Sequence, residues 1–175
     1  MGGISLGVLW GGFLGRASSK PGPLWGITIP MGEPETSSST PGETAGDRPI
    51  IIVDDSPDDL AIARRCYEKA EIAQPLRTMQ KGQDLIDLVE RVEAGEEVEP
   101  WVVLLDIKMP PPGGFEVLER VRGLSGVGER MKIVMFSTSN DPRDLKRAMN
   151  LGASGFVTKP MALGDYMSIF RSLAG

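Results

Sequence analysis

Four apolar runs in this chain stop at residues that could do chemistry. Ile51-Ile52-Val53 ends in Asp54-Asp55, Val102–Leu105 in Asp106, Ile133–Phe136 in Ser137-Thr138, and Ser154–Thr158 in Lys159-Pro160. Taken singly, each has a plain explanation: an Asp after a strand often caps a turn, and a lone lysine is usually a solvated charge. Taken together they suggest a site, because the carboxyl ends of parallel strands share one sheet edge, where ligands bind. Carboxylates gathered there repel: a pair about 4 Å apart costs roughly 4 kcal/mol at an effective dielectric of 20. Lys159 supplies one compensating charge. A divalent cation is the natural second, and an all-oxygen donor set favours a hard ion such as Mg²⁺. Carboxylate, ammonium, hydroxyl and hard cation together suit the holding of a phosphoryl group on a carboxylate.

The elements that would carry these groups can be read from the same sequence. Pro49 to Val53 is β-branched and short, a strand. Ser56-Pro57-Asp58-Asp59 has an N-cap, a first-turn proline and first-turn acids. A helix follows, with Leu60, Ile62, Ala63, Cys66, Tyr67 and Ala70 expected inside. Pro75 to Met79 is a second strand, and Lys81 to Ala94 a second helix with Leu85, Ile86, Leu88, Val89 and Val92 inward. Gly95 to Pro100 is an acidic connector. The run ending at Asp106 is continuous enough for a strand covered on both faces. Gly114 to Leu124 is a third helix, and Gly126 to Lys132 is expected to be a turn. Asp141 and Pro142 start a fourth helix that Gly152 ends in a left-handed cap. Ala162 to Leu173 is the fifth, with Leu163, Tyr166, Ile169, Phe170 and Leu173 inward. Strand and helix alternate five times, the pattern of an α/β domain with helices on both sheet faces.

Composition narrows the chemistry. The 175 residues carry a net charge of −5, which argues against a general phosphate-backbone binder and so against a nucleic-acid partner. There is no histidine, so a histidine triad, a histidine zinc site and a phosphohistidine donor are all excluded. The single Cys66 permits no disulfide within the chain and is expected to be a small buried group. Residues 1–48 are rich in Gly, Pro, Ser and Thr and show no period, which reads as a disordered N-terminal extension or a start placed too early. The apolar start lacks the basic residues of a secretory signal, and Leu6 occupies the Ser/Thr position of the myristoylation pattern. Trp10 and Trp25 leave a membrane-surface anchor as the minor alternative.

Ile51-Ile52-Val53-Asp54-Asp55-Ser56, Leu104-Leu105-Asp106-Ile107-Lys108-Met109-Pro110 with Gly114 beyond it, Ser137 closing its strand, and Gly152 to Pro160 as a block together resemble the receiver domain of two-component response regulators. The resemblance covers about residues 48 to 175. It implies a flavodoxin-like, doubly wound sheet of five parallel strands in the order 2-1-3-4-5 with five helices. Asp106 resembles the phosphoacceptor that attacks a phosphohistidine. Asp55, Asp106 and the Lys108 backbone carbonyl resemble the Mg²⁺ ligands, with Asp54 acting through a metal-bound water. Lys159 resembles the lysine that pairs with phosphoryl oxygens. Ser137 and Phe156 resemble the switch pair, Ser137 swinging toward the phosphoryl group and Phe156 moving inward behind it. The chain departs from the common pattern at Ser137 in place of Thr, at Thr138 in place of a smaller residue, and in the stiff Pro111-Pro112-Gly113 loop.

The expectation is therefore an extension over 1–48 and a receiver domain over 49–175, with only Ala174-Gly175 after Leu173: a cytoplasmic, single-domain response regulator. Its partners would be a sensor histidine kinase or phosphotransfer protein and a downstream protein target. The alternative is a receiver-like binding module that works without phosphorylation. A phosphatase with an Asp nucleophile would want an acid two positions after Asp106, where Lys108 stands. A flavin or dinucleotide site would want a Gly-rich turn after the first strand, which is missing.

Overall fold

The computed structural model describes residues 47–124 and 126–174, so the expected extension over 1–48 lies almost wholly outside the described residues. Strand β1 (Ile50–Val53) is followed by α1 (Pro57–Ala70), β2 (Leu76–Met79), α2 (Gly82–Glu93), β3 (Val102–Leu105), α3 (Gly114–Gly123), a single-turn α4 (Val127–Arg130), β4 (Ile133–Ser137), α5 (Pro142–Asn150), β5 (Gly155–Thr158) and α6 (Leu163–Ala174). All strand pairs are parallel, and the sheet order is β2-β1-β3-β4-β5. The expected class and strand order are both found.

Side chains alternate across the sheet, as the two-residue period of a strand requires. Ile51, Val53, Val103, Leu105, Ile133 and Met135 face α2 and α3 in a largely aliphatic layer. Ile50, Ile52, Val102, Leu104, Val134 and Phe136 face α1 and α6 across a layer that also holds Tyr67, Tyr166 and Phe170. Those rings meet mainly edge to face, Tyr67 with Phe170 at 5.4 Å and Phe136 with Tyr166 at 5.7 Å. The free Cys66 is buried in this layer, as expected.

Local signals hold at the helix starts. Ser56 Oγ accepts from Asp59 N, and Asp141 accepts from Arg143 N, so both expected N-caps are formed. Gly152 stands at φ +85°, where a side chain would also press on Arg122. Three expectations need correction. The sixth helix, α4, occupies the expected turn, because Glu93 accepts the Val127 N–H at 2.8 Å and Val127 and Met131 are buried. Ile62 and Leu163, expected inside, are 40% and 56% exposed. Both fit the apolar count of their helices but lie off the stripe that meets the sheet.

Candidate functional site

The backbone ladder runs one residue past several strand ends, and this positions the site. Asp54 N donates to Met79 O at 3.0 Å, Asp106 N to Val53 O at 2.9 Å, and Lys159 N to Ser137 O at 2.8 Å. Asp106 is thereby seated beside Asp54, and Lys159 beside the end of β4. The Asp106 turn is braced from below by α3: a Cβ on Gly114 would collide with the Asp106 carbonyl, so only glycine allows that approach. The Pro111–Pro112 peptide bond in the following loop is cis.

The side chains converge as the strand ends require. Lys159 Nζ lies 2.6 Å from Asp54 Oδ2, 2.9 Å from Asp59 Oδ2 and 3.2 Å from Asp106 Oδ1. Asp54 Oδ1 accepts from Ser56 N at 3.0 Å, and Asp106 Oδ2 from Lys108 N at 2.8 Å. Asp54, Asp106, Ser137 and Lys159 are all buried. Burial lifts the Asp54 carboxyl above its usual range, and the hydrogen bonds from Lys159 and Ser56 only partly offset it. Burial also works against the Lys159 ammonium, but its bonds to Asp54 and Asp59 and the charge of Asp106 outweigh this and raise its pKa. Three carboxylates face a single ammonium, and Asp55 lies beside two of them, so negative charge is in excess.

Asp54, Asp55 and Asp106 each bring a carboxylate oxygen within 4.8 Å of the others. Asp55 is half-buried, and its carboxylate has no hydrogen-bond or ion-pair partner among the described residues. Oxygen-only donors, excess negative charge and an unpartnered half-buried carboxylate fit a hard divalent cation.

Ser137 is fully buried, and its Oγ accepts from Ser139 N at 3.3 Å. Phe156 is 6% exposed and belongs to the same buried layer as Met135, Ala148 and Ala153. Lys108 and Thr138 have exposed side chains. The contact of Asp59 with Lys159 was not foreseen: as a first-turn acid, Asp59 has a sufficient local reason to exist.

The profile of the response regulator receiver domain matches residues 50–171. The chain belongs to that family. A rice two-component response regulator, ORR1, is 27% identical over 118 residues, which cover 66% of this chain and 51% of that protein. The nitrate/nitrite response regulator NarL of Escherichia coli is 35% identical over 83 residues, covering 47% and 37%. The chain thus spans about half the length, or less, of these curated relatives. Among solved structures, the bacteriophytochrome response regulator AtBRR is 31% identical with a TM-score of 0.60, covering 73% of this chain and 92% of that one. Response regulator RPA3017, from red light signalling in R. palustris, is 25% identical with a TM-score of 0.63, covering 72% and 90%. Receiver domains are signalling domains that interact with histidine kinases or phosphotransfer proteins, and they bind Mg²⁺ or Mn²⁺ at an acidic pocket. This receiver has the acidic cluster that such binding uses. No described helix is long and apolar enough to cross a membrane.

Proposed function

We propose that this receiver accepts a phosphoryl group on Asp106 from the phosphohistidine of a sensor kinase or phosphotransfer protein. The observation that carries the reading is the meeting of Asp106 with Lys159 and two further acids at one sheet edge. An Asp106 carboxylate oxygen attacks phosphorus, the phosphorus–nitrogen bond breaks, and the electron pair returns to the imidazole, which takes a proton. The aspartate becomes an acyl phosphate. Lys159 neutralises the transferred oxygens, and Ser137 donates a hydroxyl hydrogen bond to one of them. Asp54, Asp55, Asp106 and the Lys108 carbonyl would hold Mg²⁺, which supplies positive charge to the same oxygens when bound.

As Ser137 swings toward the phosphoryl group, its Oγ draws away from Ser139 N, and that loosens the segment between β4 and α5. Phe156 moves inward behind Ser137, so the two-state surface is the one formed by α5 and β5. The domain acts in the cytoplasm, over residues 49–175, as a stand-alone regulator or as one step of a phosphorelay. A downstream protein is its target.

Acetyl phosphate with Mg²⁺ is expected to give a base-labile adduct of one phosphoryl group per chain, absent from Asp106→Asn. An adduct that persists in that variant would remove Asp106 from the role. If the wild type forms no adduct, the receiver is a binding module that works without phosphate.

A further inference from the structure

Asp59 stands on α1, five residues beyond Asp54, and its Oδ2 is 2.9 Å from Lys159 Nζ. An ammonium has three N–H bonds. Lys159 faces three carboxylates, from Asp54, Asp59 and Asp106, all within 3.2 Å. The ammonium donates hydrogen bonds to Asp54 and Asp59 and is held against Asp106 as an ion pair, so a phosphoryl group on Asp106 competes with these acids for it, and one of the partners gives way when that group arrives. Asp54 is ill suited to release: its side chain is 4% exposed, and an unpaired carboxylate there would be stranded away from water. Asp106 is the acceptor itself. The Asp59 side chain is 36% exposed, so water can replace the ammonium at its oxygens.

We propose that Asp59 is the releasable partner of Lys159, a positioning residue that competes with the incoming phosphoryl group for the ammonium and so sets how readily the site takes up such an anion. The inference rests on the phosphoacceptor reading. It carries a sign that a merely structural role would not produce. Removing the Asp59 charge frees a donor and removes a like charge, so it strengthens the binding of a phosphoryl-like anion. The same change weakens attraction for a cation at Asp54, Asp55 and Asp106. A loosened site would weaken both.

The test uses the full chain and two titrations followed by NMR: Mg²⁺ alone, then beryllofluoride at saturating Mg²⁺. In Asp59→Asn the beryllofluoride midpoint is expected to fall about fivefold, the factor that corresponds to one half-exposed ion pair. The Mg²⁺ midpoint should rise by up to about twofold, a screened charge effect. Asp59→Glu, which restores the charge, should return both midpoints toward wild type. Asp58→Asn, at an exposed neighbouring position, should change neither appreciably. If the wild type responds to beryllofluoride but Asp59→Asn binds it equally or more weakly, the inference is overturned and the phosphoacceptor reading stands. If the wild type itself does not respond, both are lost.

Discussion

The two ends of the sheet treat charge in opposite ways. At the amino ends of the strands, the described cations around Trp101 each meet a carboxylate or the indole ring. Arg48 donates to the carbonyls of Glu99 and Pro100 and pairs with the Glu99 carboxylate at 3.2 Å. Arg130 meets the same carboxylate at 3.2 Å. Trp101 lies under two cations, with Lys132 Nζ 4.5 Å from its ring and Arg48 at 5.8 Å, while its indole N–H donates to Leu173 O at 2.8 Å. At the carboxyl ends, one ammonium serves Asp54, Asp59 and Asp106, and Asp55 has no partner among the described residues. The strands are the same, so neither sequence period nor topology accounts for the difference. The amino end is complete as built and contributes stability. The carboxyl end is short of positive charge, and a cation or a phosphoryl group bound there changes its energy most.

The most severe way to break that contrast is to remove the one ammonium. Lys159→Met leaves Asp54 and Asp106 buried without a cation, and breaking a buried pair in this way costs about 3–5 kcal/mol. The deficit should depend on pH with a definite sign. In the variant the Asp54 carboxyl, already raised by burial, loses the Lys159 hydrogen bond that partly offsets this and rises further above its value in the unfolded chain. The folded state then binds more protons, and stability is recovered as pH falls through the raised value. Urea unfolding at pH 7 and again near pH 5 measures this directly. A deficit below about 1 kcal/mol that is flat with pH would mean that the crowded charges are already relieved by water.

A milder cut at the other end sharpens the comparison. Trp101→Ala removes a half-buried ring, two cation–π contacts and the bond to Leu173, with an expected loss of about 2–3 kcal/mol, below that of a fully buried aromatic. The midpoint for beryllofluoride with Mg²⁺ should stay at its wild-type value, because sites far apart that share no partner are additive. A shift of more than about threefold would show that the two ends are coupled through the sheet.

The sequence made one of these ends legible and hid much of the other. Asp54, Asp55, Asp106, Ser137 and Lys159 could be located because each interrupts an apolar run, and parallel strands align such interruptions along one edge. The caps at Ser56 and Asp141 and the turn at Gly152 were legible because each rests on neighbours a few residues away. What was missed depends on contacts across the chain. The α4 turn, with Gly126 before it and Gly128 within it, has little local preference for helix. It forms where Glu93, 34 residues earlier, accepts the Val127 N–H, and where the half-buried Arg122 guanidinium donates to the carbonyls of Gly128, Met131 and Gly152. Burial lowers the Arg122 pKa, and no carboxylate among the described residues pairs with it to offset that. The contact of Asp59 was hidden for the same reason, since Lys159 lies 100 residues further on. Ile62 and Leu163 show the limit of counting apolar residues: a helix wheel gives a face, but the neighbouring elements decide how wide a stripe they cover.

The smallest expected effect comes from the two tyrosines, the only ones in the chain. Tyr67 donates to Gln74 O at 2.8 Å, and Tyr166 sits close enough to Lys159, Asp59 and Asp54 to feel their charges. Burial is the leading cause in both, and it pushes each phenol up to about 12. A folded-state pKa above the unfolded value means that the neutral phenol stabilises the fold at every pH below the ordinary value near 10. That contribution is lost as pH rises from there to about 12. Absorbance at 295 nm should therefore show no phenolate step near pH 10, and a single rise near 12 as the fold gives way. Tyr67→Phe removes one buried hydrogen bond for a loss of about 1 kcal/mol at neutral pH. The step that remains belongs to Tyr166. Lys159 favours its phenolate and the nearby carboxylates oppose it, so Lys159→Met should move that step to higher pH. A downward shift would mean that the ammonium is not the charge Tyr166 feels, and the contrast between the two ends of the sheet would then need another source.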